Sequence, residues 1–227
     1  TLTNCSTLGQ NRYVHDVMRT FYYWDTQLPT INVTSYSSPE QVLEALRYMP
    51  LDSHFSYIGA RQAEEAFYSD SQFIGFGFSH EYDGLGLRML QVFPDSPASD
   101  VGLRRGDRIT WIAQQRVTTL LMAGGLAAAL GPSTEGVTVE IRYERPDGTS
   151  VDATMVKRPV TIPTVSVLEV NEVDGKKVGY LFFRNFVTPS HAALDEAFGA
   201  LREAGATELV LDLRYNGGGL VAVAQHL

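Results

Sequence analysis

The sequence is poor in cysteine, in lysine and in long hydrophobic runs. One cysteine, Cys5, among 227 residues excludes an internal disulfide and a cysteine-based metal cluster. The longest apolar run, residues 120–130, is shorter than the about 18–20 residues needed to cross a membrane, so no transmembrane segment is predicted. No two histidines have metal-ligand spacing, and neither a metal nor another cofactor is expected.

Basic residues are outnumbered by acidic residues. The formal net charge is -8, and no basic stripe is visible, which argues against a nucleic-acid partner. The three lysines, Lys157, Lys176 and Lys177, fall at a predicted strand end and a turn, where we expect them to be solvated. With 44% hydrophobic residues, the chain is long enough for two or three compact units.

The pattern of elements predicts a multidomain α+β protein. Residues 1–70 are predicted to form a helical N-terminal region, residues 71–160 a β-barrel-like module, and residues 161–227 the start of an α/β domain. In the first region, an apolar helix face recurs at three- and four-residue steps. That face consists of Val14, Val17, Met18, Phe21 and Trp24. Ser38 and Pro39 predict the start of a second helix over 40–48, and a third is expected over 61–67.

Short strands and turns dominate the middle of the chain. Strands are predicted at 73–79, 85–92, 108–112, 137–143 and 151–157. One helix, at 120–130, is expected to interrupt them. Turn sequences such as Asp83-Gly84 separate the strands. These features predict a small β module with a helix.

The last region reads as strand, helix, strand. Strands are predicted at 178–183 and 208–213, with a helix between them that Gly205 ends. Such a βαβ unit has parallel strands, and ligands bind at their carboxyl ends. Three glycines, Gly217, Gly218 and Gly219, follow the second strand. Their backbone N–H groups suit a phosphate, a carboxylate or a reaction oxyanion, and a glycine turn without a ligand stays an open alternative.

Three motifs occur in an order that resembles the carboxyl-terminal processing proteases, the S41 serine peptidases. Residues 51–58 (LDSHFSYI) resemble a segment that precedes the PDZ domain in that family. Residues 74–78 (IGFGF), 92–98 (VFPDSPA) and 102–109 (GLRRGDRI) resemble a PDZ domain. Residues 211–219 (LDLRYNGGG) resemble the family's Leu-Asp-Leu-Arg-x-Asn-x-Gly-Gly. The segment at 21–24 resembles the helical N-terminal region of secreted bacterial members.

The resemblance implies roles for particular residues. A backbone N–H of Gly218 or Gly219 would lie in the oxyanion hole. The residues expected to brace that turn are Asp212, Arg214 and Asn216. The residues expected to bind the substrate's C-terminus are Gly75, Phe76, Gly77 and Phe78, with one of the two phenylalanines in the core. The family's nucleophilic Ser and its Lys base fall after the last of these motifs, beyond residue 227.

Two functions therefore follow as alternatives. In the first, the chain is the N-terminal portion of a secreted serine endopeptidase that binds protein or peptide C-termini through its PDZ domain, and residues 1–227 alone are inactive. In the second, it is a non-catalytic PDZ-based peptide-binding protein with a degenerate protease fold. The resemblance, together with a first residue other than Met, implies a periplasmic or extracellular location. A membrane anchor in a preceding segment and an oligomeric state stay open.

Overall fold

A computed structural model of the protein describes residues 5–53 and 55–227. Residues 1–4 and His54, the fourth position of the 51–58 motif, lie outside the described residues. The chain divides into two compact units, Thr1–Ala60 and Arg61–Leu227. The division into three domains at residues 70 and 160 stays a prediction, and helix α3 (Arg61–Asp70) belongs to the second unit.

The first unit is built on two helices, α1 (Thr7–Phe21) and α2 (Pro39–Leu46). The predicted start of α2 is confirmed, because the Ser38 side chain accepts a hydrogen bond from the Gln41 amide and Pro39 opens the helix. The buried residues of this core are Met18, Val42, Leu43 and Leu46. The extension of the first apolar face to Trp24 was wrong: α1 ends at Phe21, which is 80% exposed.

A hydrogen-bond network ties the end of α1 to the segment that follows α2. The buried carboxylate of Asp52 accepts hydrogen bonds from the Tyr22 hydroxyl (2.8 Å) and from the amides of Phe55 (3.1 Å) and Ser56 (2.9 Å). The same tyrosine oxygen accepts from the Tyr48 amide at 2.8 Å. Burial alone would raise the pKa of Asp52, but the hydrogen bonds outweigh burial and lower it. The network therefore needs the ionised carboxylate.

The second unit begins with a β module. Its strands are β1 (Gln72–Gly75), β2 (Phe78–Tyr82), β3 (Leu87–Val92), β4 (Arg108–Ile112), β5 (Gln115–Arg116), β6 (Thr138–Glu144), β7 (Ser150–Val156) and β8 (Arg158–Thr161). Strands β2, β3, β4, β6 and β7 follow one another in an antiparallel sheet, with β5 beside β4 and β2 at one edge. Strand β1 pairs with β8. Short helices α4 (Pro97–Asp100), α5 (Val117–Met122) and α6 (Leu126–Leu130) complete the module.

Two predicted elements of this module are each split by a glycine. The strand expected at 73–79 is β1 and β2, which belong to different sheets, because Gly77 between them has φ +86°. The helix expected at 120–130 is α5 and α6, separated at Gly124, where φ is +65°. Both angles are in the left-handed region that side chains disfavour. The core around them includes Phe76, Leu87, Ile109 and Tyr143.

The last part of the second unit is an α/β layer. Strands β9 (Val165–Val173), β10 (Lys176–Phe183) and β11 (Glu208–Asp212) form a sheet in the order β11-β10-β9. Helix α7 (Ser190–Glu203) connects β10 to β11, and α8 (Val221–His226) follows β11. The predicted parallel pairing of β10 with β11 is confirmed, with Phe182 opposite Asp212. Among the described residues, no helix is long and apolar enough to span a bilayer.

Replacing Asp52 by Ala should destabilise the first unit, because a tyrosine hydroxyl and two amides lose their buried acceptor. We expect the free energy of unfolding to fall by about 1–3 kcal/mol. Urea denaturation, followed by Trp24 fluorescence in a Trp111→Phe background, measures this loss. The exposed control Asp16→Ala should change stability by less than about 0.5 kcal/mol; an equal effect would contradict a supporting role for Asp52.

At acid pH, the free energies of unfolding of Asp52→Ala and of the unchanged protein should become more alike, as measured by the same urea denaturation. Because the folded-state pKa of Asp52 is lowered, its stabilisation is present above the unfolded-state pKa of about 3.9 and is lost as the pH falls below it.

Candidate functional site

The three glycines lie where two parallel strands end side by side. The loop after β10 and the turn after β11 are joined by two backbone hydrogen bonds, from Phe186 N–H to Gly218 O (2.9 Å) and from Leu220 N–H to Phe186 O (2.6 Å). They form an isolated parallel bridge between Phe186 and Gly219. A Cβ atom at Gly219 would lie 2.1 Å from the Phe186 carbonyl oxygen, so only glycine fits there.

This bridge determines which amide faces the open side of the turn. In a parallel bridge, the residue between the two bonded groups points its own N–H away from the partner. That residue is Gly219, and its N–H makes no hydrogen bond to any residue in the described part of the chain. The Gly218 N–H instead donates to Asn216 Oδ1 at 2.7 Å. Of the two predicted oxyanion donors, the Gly219 amide is the one left available.

The Asp212 carboxylate forms the main polar cluster behind the turn. It is buried and accepts from the Tyr180 hydroxyl (2.5 Å), from the Arg214 amide (3.0 Å) and from the Arg214 guanidinium (2.6 Å to Nη2). The guanidinium, followed by the tyrosine hydroxyl, holds the pKa of Asp212 well below its usual range. The pKa of Arg214 is raised in turn by Asp212. The pair is therefore fully ionised at neutral pH.

Asn216 and Arg184 tie the turn to the end of β10. Asn216 donates through Nδ2 to Phe183 O at 3.1 Å, and Arg184 donates through Nη1 to Tyr215 O at 2.5 Å. Burial lowers the pKa of Arg184. Sequence inspection named Asp212, Arg214 and Asn216 but missed Arg184, Tyr180 and Phe186. The signal that could have found them is the parallel pairing, since residues after β10 must lie beside residues after β11.

The predicted peptide-binding residues form a loop between β1 and β2. Its carbonyl groups are held from one side: Phe76 O accepts from the Ala98 amide (2.8 Å), and Gly77 O accepts from the Phe93 amide (2.8 Å) and from Ser96 Oγ (3.3 Å). The N–H groups of Phe76 and Gly77 make no hydrogen bond within residues 5–53 and 55–227. A Cβ at Gly77 would lie 2.1 Å from that of Ser96, so this position also requires glycine.

The loop leads directly into an open sheet edge. Phe76 is buried in the core, whereas Phe78 is half-buried at the start of β2 and stacks on Phe76 at 6.4 Å between ring centroids. Gly75 closes the preceding strand, and its position admits no Cβ beside the Phe73 ring. Among the residues that the structure describes, strand β2 has a neighbour on one side only, β3. The arrangement offers free amides next to an unpaired strand edge.

The sequence suggested that all three lysines are solvated, but one of them is not. Lys157 is 5% exposed, so that expectation was wrong for it. Lys157 is the residue after β7. Its Nζ lies 5.1 Å from the centroid of the Phe76 ring. Within the described ranges, no group of three or more histidine, cysteine, aspartate or glutamate side chains has the arrangement of a metal site.

Comparisons with known proteins agree with this geometry. Residues 9–57 match the peptidase S41 N-terminal domain, and residues 177–226 match peptidase family S41. A carboxyl-terminal-processing protease of Picosynechococcus sp. is 29% identical over 135 residues, which are 60% of this chain and 32% of that protein. The chloroplastic carboxyl-terminal-processing peptidase 1 of Arabidopsis thaliana is 25% identical over 206 residues, 87% of this chain and 42% of that protein.

Two solved structures share the fold. An S41 protease from Bacteroides fragilis superimposes with a TM-score of 0.60 at 25% identity, covering 94% of this chain and 57% of that one. The photosystem II D1 C-terminal processing protease gives a TM-score of 0.50 at 21% identity, covering 98% and 64%.

The fold and the two matched segments are similar to those of peptidases of family S41. The chain spans less than half of the length of the curated relatives described above.

Alanine substitutions at Gly219 and Gly217 should show whether glycine is required at the bridge or throughout the turn. Gly219→Ala places a methyl group against the Phe186 carbonyl, whereas Gly217→Ala meets no atom within 4 Å. We expect Gly219→Ala to destabilise the turn by more than about 1 kcal/mol and Gly217→Ala to have little effect. Hydrogen exchange of the Leu220 amide, which bonds to Phe186 O, reports on this locally. Equal exchange rates in the two variants would contradict a structural need for glycine at 219.

Proposed function

We propose that this chain is part of a serine endopeptidase of the carboxyl-terminal-processing type. The observation that carries the proposal is the Gly219 amide, which faces the open side at the carboxyl ends of β10 and β11. It lies within the segment that matches the peptidase family. A backbone donor so placed can stabilise the oxyanion of a tetrahedral intermediate, and one such donor accounts for about 2.7–4 kcal/mol in other enzymes.

The rigid surroundings of Gly219 favour this role over that of a simple turn. An oxyanion donor must be in place before the charge develops, so that no reorganisation is needed during the reaction. The bridge to Phe186 and the Asn216 side chain fix the backbone on both sides of the turn. In this proposal Asp212, Arg214 and Asn216 position the turn and do not touch the reacting atoms. The nucleophilic Ser and its Lys base lie in a part of the protein beyond residue 227.

We further propose that the β module is a PDZ domain that captures the C-terminus of the substrate. A peptide added to β2 as an extra strand would bring its terminal carboxylate to the free amides of Phe76 and Gly77. The half-buried Phe78 ring would line the pocket for the last side chain. The substrates are then proteins or peptides with an accessible C-terminus, met in the periplasm or outside the cell.

Peptide capture is tested with fluorescent peptides that end in Ala, Val, Leu or Phe, each prepared with a free and with an amidated C-terminus. Charge-assisted hydrogen bonds contribute about 1.5–3 kcal/mol, so the free form should bind about ten- to a hundredfold more tightly. Anisotropy titrations of the full chain measure both affinities. Equal affinities across the panel would rule out carboxylate capture.

Peptidase activity is tested by comparing residues 1–227 with the protein extended past residue 227. The extended protein should cleave an unstructured fluorogenic peptide, whereas the chain alone should show no turnover above buffer, because nucleophile and base are missing from it. Both proteins are expressed and purified identically, which controls for contaminating proteases. Turnover by residues 1–227 would contradict the assignment of the nucleophile. An inactive extended protein that still binds free C-termini would instead indicate a non-catalytic peptide-binding protein.

A further inference from the structure

Lys157 is a buried ammonium group in a position where solvation was expected. Its Nζ donates to the carbonyl oxygens of Gly131 and Pro132, at 2.7 Å each. These carbonyls follow directly after α6, so the lysine ties the chain just past that helix to the end of β7. Lysine is almost never fully buried unless it is paired, and the two carbonyl dipoles supply only part of that compensation.

Among the described residues, the ammonium of Lys157 has no counter-ion. In the described part of the chain, no carboxylate lies within ion-pair distance of Lys157 Nζ, whereas the exposed Lys176 pairs with Glu208 at 2.8 Å. Only two of the three N–H donors of Lys157 have an acceptor among these residues. Burial lowers the pKa of Lys157 accordingly. A negative charge brought close to this group would therefore be stabilised.

The position of Phe76 indicates where such a negative charge would bind. Lys157 Nζ lies 5.1 Å from the centroid of the Phe76 ring. Phe76 belongs to the loop whose amides at Phe76 and Gly77 are free. Lys157 and Phe76 are 5% and 6% exposed and the hydrogen bonds of Nζ are partly buried, so the charge is screened less than a charge at the surface. An uncompensated positive charge thus lies next to the ring of Phe76, a residue of the proposed carboxylate-binding loop.

We propose that Lys157 is the residue that makes the loop selective for a charged carboxylate over a neutral C-terminus. The inference rests on the proposed PDZ function and adds the origin of its specificity. Hydrogen bonds from the Phe76 and Gly77 amides can be accepted by the oxygen of a carboxylate or of an amide. The field of Lys157 distinguishes the two, because it acts on the net charge. Lys157 is thus a specificity-determining residue that acts from behind the loop.

A double-mutant cycle between Lys157 and the peptide terminus tests this. Free and amidated versions of the same fluorescent peptide, ending in Val, are titrated against the full chain and against Lys157→Met. We expect Lys157→Met to weaken binding of the free peptide about tenfold and to leave the amidated peptide within about twofold. The matched control is Lys177→Met, because Lys177 Nζ likewise donates to a carbonyl after a helix, Ala204 O at 2.8 Å. It should change neither affinity.

Two further variants separate charge from packing. Lys157→Gln keeps hydrogen-bond donors for the two carbonyls but removes the charge, so it should behave like Lys157→Met. Lys157→Arg keeps the charge and should retain the preference for the free peptide. Circular dichroism melting curves establish that each variant is folded.

The outcomes distinguish the two proposals. If the unchanged protein binds both peptides equally, the proposed carboxylate capture fails. If the unchanged protein prefers the free peptide and the folded Lys157→Met or Lys157→Gln retains that preference in full, this inference is overturned and Lys157 only completes the end of α6. It is also overturned if neither neutral variant folds, because the lysine would then be required for the structure itself.

Discussion

The parallel pairing of β10 with β11 is the constraint on which the candidate active site depends. It brings Phe182 opposite Asp212, so the loops that follow both strands leave the sheet at the same edge. Only because of that register can Phe186 exchange backbone hydrogen bonds with Gly218 and Leu220. The turn is thus fixed by main-chain groups from two separate segments of the sequence. Gly219 is required by the closeness of that contact, not by flexibility.

The polar residues behind the turn serve the same constraint. Asp212 is the last residue of β11, and its carboxylate is matched by a hydroxyl from β10 and a guanidinium two residues further on. Leaving a buried carboxylate unpaired would cost far more than these contacts gain. Ionisation, pairing and turn position are therefore linked. A change that displaces β10 by one residue would leave Asp212 without Tyr180 and the turn without Phe186.

Much of the fold follows from the sequence because local signals and tertiary packing agree there. The capped start of α2, the helix ended by Gly205 and the strand–helix–strand order all rest on residues whose local preference matches their place in the structure. One prediction that was wrong concerns the junction between two sheets. The period-two pattern over residues 73–79 continues through Gly77, so only the tertiary contact with Ser96 reveals that the strand changes sheets there.

Lys157 shows the same limit for side chains. It stands at the end of a strand, where a lysine is usually solvated. What draws it inward is the end of α6, some 25 residues earlier in the chain. The residues of the candidate site that lie on one segment, Asp212 to Gly219, could be predicted from the sequence. The residues contributed by β10 and its loop required knowledge of the strand register.

The two glycine turns of the second unit are held in the same way. In each, backbone carbonyls are engaged by neighbouring groups: Gly77 O by Ser96 and Phe93, and Gly218 O by Phe186. Fixing a carbonyl also fixes the orientation of the adjoining peptide plane, and the amides that remain face the open side. Such amides bind an anion without reorganisation. The glycines permit the approach, but the hydrogen-bonded carbonyls orient the donors, so the two proposed sites, one for a bound carboxylate and one for a transient oxyanion, share the same physical basis.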